Sequence, residues 1–437
     1  MRAWGTTLVL ALSGTLFATG MPGCGAIPAT RVARYACPST DHESRQNRRR
    51  GTTGRIHEDG SRRRRSASDA EGAASREHAH ASATALHGKD APTIVITVDG
   101  VRWQEIFQGT DPERLTTSSR VRPMNARQLL PNVYRWFFDR GIALGDEAKP
   151  VFASGPAYLS LPGYREMFSG HPSSCQNNAC EWSEETTVVD ELIEHEGLAP
   201  EDVAIVTSWG PMAHAITSHP CGAVISAGRT GGASREAFRV NRRAAEILRA
   251  ASVASAYPGW GDYRPDRFTA ALALHYLREV APRFLVIGLG DTDEYAHRDN
   301  YERYIESIQM FDAFIGDLFR ILDRMGDRGG HEASVFVLTD HGRNVGFTHH
   351  GSGDGASSRV WLLAHGSRIL GTNERASGSA PMRLGDLAPT LRAALRLPAH
   401  DEFELARSFV TFDDSRDLLA HLKELQSINK RRDPSQE

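Results

Sequence analysis

The sequence lacks long apolar runs, and this excludes a membrane-spanning segment. An N-terminal apolar core is too short and too rich in glycine to cross a bilayer, and no other stretch is long and apolar enough. Large apolar residues are almost absent between Ser39 and Leu86, so that segment cannot bury enough surface to offset the entropy of ordering it. No internal repeat occurs. The 437 residues suffice for a large core in one big α/β domain or two ordinary ones.

The sequence also lacks a second closely spaced cysteine pair. Four residues separate Cys175 from Cys180, and without another such pair this spacing is a poor zinc motif. Five cysteines in all are compatible with an oxidising compartment, and we predict a local disulfide between Cys175 and Cys180. The sequence gives no basis for pairing Cys37 or Cys221.

Charge is unevenly distributed along the chain. The formal net charge is −3, yet residues 1–90 contain 14 Lys and Arg against 8 Asp and Glu. Much of this basic charge lies in Arg48–Arg50 and Arg62–Arg65, among Ser, Gly, His and Ala. Such runs could form a nucleic-acid-binding arm. We favour a solvated, disordered linker over residues 27–90 and expect no nucleic-acid partner.

Residues 1–26 have the pattern of an export signal. Arg2 precedes an apolar core that runs from Leu8 to Phe17. The segment Met21–Cys24 resembles a bacterial lipoprotein cleavage box, in which Cys24 would carry the lipid. The alternative is simple cleavage between about Ala18 and Ala26. We therefore predict an exported protein that is periplasmic, secreted or anchored by lipid to a bacterial membrane.

Apolar runs and helical segments alternate along the rest of the chain. Four runs have the composition of strands buried on both faces: Thr93–Val98, Val203–Thr207, Phe284–Leu289 and Val335–Leu338. Helical patterns are predicted at 121–139, 188–195, 235–255, 266–280 and 300–325. This alternation predicts one α/β domain with a mostly parallel sheet over residues 91–415, followed by a C-terminal helix and frayed tail at 416–437.

Three of the predicted strands end in residues that suit metal binding. Asp99 follows the first strand, and Asp340-His341 follows the last, with His349 or His350 shortly after. Asp293 and His297, four residues apart, follow the strand that ends at Leu289, and Asp291 competes with Asp293 for the carboxylate role. Asp and His suit zinc or a similar divalent ion, and parallel strands bring their carboxyl ends to one edge. The alternative is that each Asp caps a turn.

Ser160 lies at the predicted start of a helix, where Pro162 occupies the first turn. A hydroxyl there can cap the helix, or it can attack the phosphorus of an anion that the helix dipole attracts, if a cation lowers its pKa. Asn177 and Asn178 lie in the nearby cysteine-bracketed loop. One of them could donate to a phosphate oxygen, or both could shape the turn.

These motifs, in this order, resemble the alkaline phosphatase superfamily, most closely its phosphodiesterase/pyrophosphatase and alkaline-phosphatase-like branch. The resemblance covers roughly residues 92–410, including the segment Asp386–Leu391. It implies a three-layer αβα sandwich around a mostly parallel sheet. It also implies a hydrolase of small-molecule phosphoric esters that uses two divalent metal ions, zinc or alternatively manganese.

The resemblance further implies roles for particular residues. One metal would be held by Asp99, Ser160, Asp340 and His341, and the other by Asp293, His297 and His350; His350 is preferred to His349 because a glycine follows it. Ser160 would form a phosphoseryl intermediate that water hydrolyses. Asn178 or Asn177 would hold the phosphoryl oxygens. The additional positive charge that a monoester dianion needs could come from Arg165 or Arg343.

Other activities on the same fold remain alternatives: a phosphonate hydrolase, a sulfatase, a mutase or a non-catalytic exported metal-binding protein. Sulfatases of the superfamily need Cys or Ser, x, Pro, x, Arg. Here Tyr164 stands four places after Ser160, and Arg165 is one place too late. A phosphodiesterase or phosphatase is therefore the function that we expect.

Overall fold

The computed structural model describes residues 91–196, 198–229, 242–326, 329–372, 381–400 and 407–413. The predictions for the export signal at 1–26, the linker at 27–90 and the tail at 416–437 lie outside these residues. Within the described residues, no helix combines the length and apolar character that crossing a membrane would require.

Twelve strands are present in the described part of the chain. They are β1 Thr93–Val98, β2 Ile142–Leu144, β3 Val151–Phe152, β4 Val203–Thr207, β5 Val224–Ala227, β6 Phe284–Leu289, β7 Ser334–Leu338, β8 Arg359–Val360, β9 Leu362–His365, β10 Ile369–Thr372, β11 Met382–Arg383 and β12 Val410–Phe412. The four strands predicted from buried apolar runs correspond to β1, β4, β6 and β7.

The α-helices of the described residues differ widely in length. They are α1 Trp103–Phe107, α2 Ala126–Leu129, α3 Pro131–Val133, α4 Ser160–Ser169, α5 Val188–Glu196, α6 Ala213–Ile216, α7 Arg242–Val253, α8 Asp266–Val280, α9 Asp291–Ala296, α10 Tyr301–Met325 and α11 Leu387–Leu395. Short 3₁₀ turns lie at Pro112–Arg114, Pro200–Asp202, Gly210–Met212, Pro220–Gly222, Gly330–Glu332, Gly355–Ser358 and Leu384–Asp386.

Seven of the strands form the central sheet, in the order β2-β9-β7-β1-β6-β4-β5. The pairs β7-β1, β1-β6, β6-β4 and β4-β5 are parallel, whereas β9 is antiparallel to both β2 and β7. The predicted mostly parallel α/β sheet is therefore confirmed. The antiparallel edge was not predicted, because the apolar run at 360–364 gives no indication of strand direction.

Helices cover both faces of the central sheet, so the domain has three layers: helices, sheet and helices. One face packs on α7, α8 and α10, and Ile94 and Ile96 of β1 contribute to that core. The other face packs on α4, α5 and α11, with Val95 between the two Ile residues pointing to this second core. Because side chains alternate along a strand, a continuous apolar run can supply both cores at once.

The helix predicted at 121–139 is interrupted. In its place are α2, α3 and a π-helical turn at Tyr134–Phe138. Pro131 lacks a backbone N–H and disfavours helical geometry in the residue before it. Asp312 of α10 then accepts hydrogen bonds from the backbone N–H groups of Asn132 and Val133, both at 2.9 Å, which gives the second segment its own start.

We expect Phe336→Ala to lower the free energy of unfolding by about 3–5 kcal/mol, because Phe336 is fully buried in β7 and truncation leaves a cavity. Urea denaturation followed by circular dichroism measures this loss. Val253→Ala is the control, since Val253 is 82 % exposed and its truncation should change stability by less than about 0.5 kcal/mol. Equal losses in the two variants would contradict the placement of Phe336 in the core.

Candidate active site

Three neighbouring parallel strands end at one place. β1 lies between β7 and β6, and its Val98 is in register with Leu289, so Asp99 stands beside the turn that carries Asp293. Asp340 follows β7 on the other side and accepts a hydrogen bond from the Gly100 backbone at 3.1 Å. All three carboxylates are buried. The register of the sheet thus brings together the three Asp residues predicted from strand ends.

A first cluster surrounds the imidazole of His341, which is fully buried. Its Nδ1 lies 3.0 Å from the Gly342 carbonyl oxygen, so Nδ1 carries the proton and Nε2 presents a lone pair. That Nε2 lies 3.4 Å from Asp99 Oδ1 and 3.3 Å from Asp340 Oδ2. Three electron-pair donors therefore converge on one space.

Ser160 completes this cluster. Its Oγ lies 3.3 Å from His341 Nε2 and 3.5 Å from Asp99 Oδ1. Ser160 is the first residue of α4, whose N-cap position is Leu159, and no side-chain cap bond is formed there. The hydroxyl is thus directed at the carboxylate and the imidazole, and it does not cap the helix.

A second cluster lies next to the first. Nε2 of His297 and Nε2 of His350 are 3.0 Å apart, and Asp293 Oδ2 is 3.1 Å from His297 Nε2. Both imidazoles use Nδ1 on a backbone carbonyl, His297 on Thr348 at 2.9 Å and His350 on Tyr158 at 2.8 Å. The two Nε2 atoms therefore face each other with a carboxylate beside them, and this Asp293 carboxylate raises the pKa of His297.

The two clusters are contiguous. The rings of His341 and His350 stack with centroids 3.7 Å apart and planes inclined by 14°. Asp293 offers oxygens to both sides, since it groups with His297 and His350 and also with Asp99 and His341 within 4.8 Å. This carboxylate stands between two ligand sets.

Burial perturbs the ionisation of these groups strongly. Burial, together with the nearby Asp340 and Asp293, raises the pKa of Asp99 well above its usual value. Burial lowers the pKa of His341 to about 4, and that of His350 falls well below its usual value through burial and the neighbouring His341. Both imidazoles are therefore neutral at pH 7, which is the form that binds metal.

The donor set fits divalent cations. Asp340 Oδ2 is buried without a hydrogen-bond partner, although buried carboxylate oxygens are normally satisfied. The Nε2 atom of His341, whose pKa burial lowers to about 4, points at two carboxylate oxygens, which is the arrangement of donors around a bound cation. Two Asp-His groups with a shared carboxylate match the ligand chemistry of zinc and of similar first-row ions.

The structure separates residues that the sequence left as alternatives. His350 lies in the second cluster, whereas His349 is exposed and its ring centroid is 6.4 Å from that of His297. Asp293 lies between the clusters, whereas Asp291 accepts a hydrogen bond from Tyr263 at 2.7 Å.

The two asparagines also differ. Asn178 Oδ1 accepts a hydrogen bond at 3.0 Å from the backbone of Leu161, the residue after Ser160. Asn177 Oδ1 accepts one from Ala179 within the loop at 2.7 Å, which is a turn-shaping contact. The disulfide predicted between Cys175 and Cys180 is confirmed, and it closes the loop that carries both residues.

The two arginines considered for substrate binding make contacts away from Ser160. Arg165 donates to the backbone carbonyl of Glu181. Arg343 donates to the Asp293 carboxylate and to backbone carbonyls of its own loop. Neither contact directs a guanidinium toward the Ser160 hydroxyl.

Several residues at the site were not predicted from the sequence. Tyr164, one helical turn after Ser160, donates its hydroxyl hydrogen to Asp99 Oδ2 at 2.7 Å, and Thr292 donates to the Asp99 carbonyl at 2.6 Å. Gly100 has a φ of +61°, and a side chain there would overlap the Asp293 carboxylate. Position four after Ser160 could have indicated Tyr164, since such residues share a helix face.

A family comparison agrees with this geometry. Residues 265–398 match the family model of the Metalloenzyme superfamily. That segment includes β6 and β7 and the histidines of both clusters. The superfamily resemblance predicted from the motifs is confirmed for this segment, and the class to which it points is that of α/β metalloenzymes. Among curated proteins, none matches the chain.

The similarity of this chain to solved structures is low. A protein in the alkaline phosphatase superfamily from Vibrio parahaemolyticus is 12% identical over 74% of this chain and 69% of its own, with a TM-score of 0.43. The alkaline phosphatase PafA is 12% identical over 71% and 96%, with a TM-score of 0.45. The 2-O GAG sulfatase BT1596 is 12% identical over 72% of both chains, with a TM-score of 0.43. These similarities are too distant to carry a conclusion about activity.

The residues directly after the loop that carries Asn178 pack against His214, so the ionisation of His214 affects this part of the structure. Trp182 packs on the His214 ring with centroids 4.6 Å apart, and Ser183 donates to the His214 carbonyl at 2.9 Å. Burial is the main cause that lowers the pKa of His214 from 6.5 to about 4. The unfolded chain therefore takes up this proton first as the pH falls.

We expect the stability that neutral His214 contributes to be complete above pH 6.5 and to be lost as the pH falls towards 4, by up to about 3 kcal/mol. His214→Gln should flatten the pH dependence of the denaturation midpoint in that window. His331→Gln, at a histidine whose side chain is 66% exposed, is the control and should retain the wild-type slope. Identical slopes in wild type and His214→Gln would contradict the prediction.

Proposed function

We propose that the chain is a two-metal hydrolase of phosphoric esters that acts through a covalent phosphoseryl intermediate on Ser160. The observation that carries this proposal is the direction of the Ser160 hydroxyl. It lies within 3.5 Å of both Asp99 Oδ1 and His341 Nε2, at the start of a ten-residue helix. A serine held among metal-type ligands at a helix N-terminus suits attack on an anionic ester.

The proposed ligands follow the two clusters. Asp99, Ser160, Asp340 and His341 would hold one ion, and Asp293, His297 and His350 would hold the other. Asp293 is close enough to both groups to contribute to either. Mixed oxygen and nitrogen donors favour zinc, and manganese is the alternative.

Bound divalent ions would lower the pKa of the serine hydroxyl and neutralise charge that develops on the leaving oxygen. Side chains of the protein orient the nucleophile and the substrate. Tyr164 holds Asp99 through the hydrogen bond to Oδ2, which leaves Oδ1 facing Ser160. Asn178 fixes the first turn of α4 through Leu161, and its amide nitrogen can donate to a phosphoryl oxygen.

The reaction divides into two displacements at phosphorus. Ser160 Oγ loses its proton and forms a bond to phosphorus, while the bond from phosphorus to the leaving alkoxide breaks and the alkoxide takes up a proton. Water then attacks the phosphoseryl ester, and the bond between phosphorus and Ser160 Oγ breaks. The serine recovers a proton and the phosphate product leaves.

The contacts of the two arginines favour a phosphodiester over a phosphomonoester. A monoester dianion carries one more negative charge and needs more positive charge around it. Arg165 and Arg343 are both engaged with acceptors other than Ser160. The asparagine amide is a neutral donor, which suits the single negative charge of a diester.

We propose export, with release or tethering through a lipid on Cys24, from the apolar segment that follows Arg2. A small-molecule ester in the surrounding medium would then be the substrate.

We expect Ser160→Ala to lower kcat for ester hydrolysis by at least about 10³-fold, because removal of a nucleophile is among the largest single-residue effects on catalysis. The measurement is steady-state hydrolysis of a nitrophenyl diester with saturating zinc. Ser169→Ala, at the other end of α4, is the matched control and should retain activity. Wild-type turnover by Ser160→Ala would exclude Ser160 as the nucleophile.

We also expect a chelator to abolish hydrolysis and zinc or manganese to restore it, with bis-nitrophenyl phosphate turned over faster than nitrophenyl phosphate. Parallel kcat/KM measurements on both esters would give the ratio. A ratio in favour of the monoester would contradict the diester assignment and leave the hydrolase assignment intact. If the protein binds two ions per chain and hydrolyses neither ester, a non-catalytic metal-binding role would be favoured.

A further inference from the structure

Arg343 is buried beneath the second cluster. Its side chain is 0% exposed, and its guanidinium makes three donor contacts. One nitrogen donates to Asp293 Oδ1, a second donates to the Phe347 carbonyl, and Nη2 donates to the Thr348 carbonyl at 3.0 Å. Because it has no exposed surface, this guanidinium contacts protein groups and is not presented to a substrate.

The Thr348 carbonyl links Arg343 to a second ligand. The same oxygen accepts a hydrogen bond from His297 Nδ1 at 2.9 Å. That bond fixes the proton of His297 on Nδ1 and leaves Nε2 to face His350. A shift of the Thr348 carbonyl would therefore rotate the His297 ring or change its tautomer. Partners of this kind orient metal-binding histidines and tune their affinity.

The loop between Arg343 and His350 needs such support. Phe347 has a φ of +75°, a conformation that residues with a side chain rarely adopt, and it is fully buried. Its ring packs edge-on against Tyr304 with centroids 4.9 Å apart. The bond from Arg343 to the Phe347 carbonyl holds the backbone in this conformation, which directs the chain back so that His350 reaches the cluster.

Charge provides a separate reason for an arginine here. Asp293 is buried close to Asp99 and to Asp340, and these carboxylates repel one another. A buried carboxylate is tolerated when it is paired and hydrogen-bonded. Arg343 supplies a permanent positive charge to one Asp293 oxygen and leaves the other, Oδ2, facing His297.

We propose that Arg343 is a positioning residue that assembles Asp293, His297 and His350 into a preformed site for one of the two ions. This inference rests on the proposed two-metal function. It assigns to Arg343 a role different from the substrate contact suggested by the sequence. The role requires the planar fork of arginine, because three acceptors in different directions are held at once.

The test is zinc binding by the metal-free protein. The full chain is stripped with chelator and titrated with zinc against a competing indicator, for wild type, Arg343→Gln and Arg343→Lys. Wild type should bind two ions. Arg343→Gln should keep one tight site and bind the second ion about 10–100-fold more weakly, the usual effect of removing such a partner. Arg343→Lys keeps the charge but not the fork, and should show an intermediate loss.

The matched control is Arg392→Gln. Arg392 is also buried and paired, with its Nε 2.6 Å from Glu191 Oε2, but it lies in α11. This variant should lose stability and keep both zinc affinities. If Arg343→Gln binds both ions as tightly as wild type, or weakens both equally, the positioning role is wrong. If Arg343→Gln does not fold, Arg343→Lys decides, and wild-type affinities in that variant would overturn the proposal.

The same titration separates this inference from the proposed function. Fewer than two ions bound by wild type would reject the two-metal site and the role of Arg343 together. Two ions bound by wild type with unchanged affinities in the variants would reject only the role of Arg343. Circular dichroism and the melting temperature of each metal-free variant, compared with Arg392→Gln, distinguish a selective loss of one ion from general destabilisation.

Discussion

Mutual repulsion among three buried carboxylates is the constraint on which the rest of the site depends. The parallel register of β7, β1 and β6 places Asp99, Asp293 and Asp340 at one edge of the sheet. Burial and mutual proximity would drive such groups to take up protons unless positive charge compensates them. Arg343 supplies part of that charge, and two cations would supply the remainder. The sheet that brings the carboxylates together therefore also creates a demand for positive charge at the site.

The three histidines respond to this constraint in the same way. His341, His297 and His350 each place Nδ1 against a backbone carbonyl, at 3.0, 2.9 and 2.8 Å. Each carbonyl fixes the protonated nitrogen and turns the Nε2 lone pair towards the carboxylates. The three imidazoles are thus oriented by two stretches of backbone, the loop that contains Gly342 and Thr348 and the segment before α4 that contains Tyr158. This explains why short sequence motifs record the histidines but not the groups that orient them.

The sequence predicts the features that depend on local interactions and misses those that depend on contacts between distant parts of the chain. Asp99 and Asp340 each follow, within two residues, an apolar run with the composition of a strand. Both strands and their ends are therefore predicted correctly from the sequence. Tyr164 and Arg343 contact Asp residues 65 and 50 positions away, and no local pattern records such a pairing. The glycine after His350 favours it over His349 from the sequence alone, whereas the positive φ of Phe347 in the same loop is not suggested by its residue type.

The fold alone does not separate phosphate from sulfate chemistry, because function depends on the side chains at the site. The first helical turn after Ser160 differs from the sulfatase pattern. In the sulfatase pattern, an arginine stands four residues after the nucleophile. In this chain that position is Tyr164, fully committed to Asp99 at 2.7 Å and buried. A phenol at this point donates one hydrogen bond without adding positive charge, so Tyr164 only partly offsets the burial and neighbouring carboxylates that raise the pKa of Asp99. This arrangement is compatible with the proposed attack of Ser160 on phosphorus and departs from the sulfatase pattern.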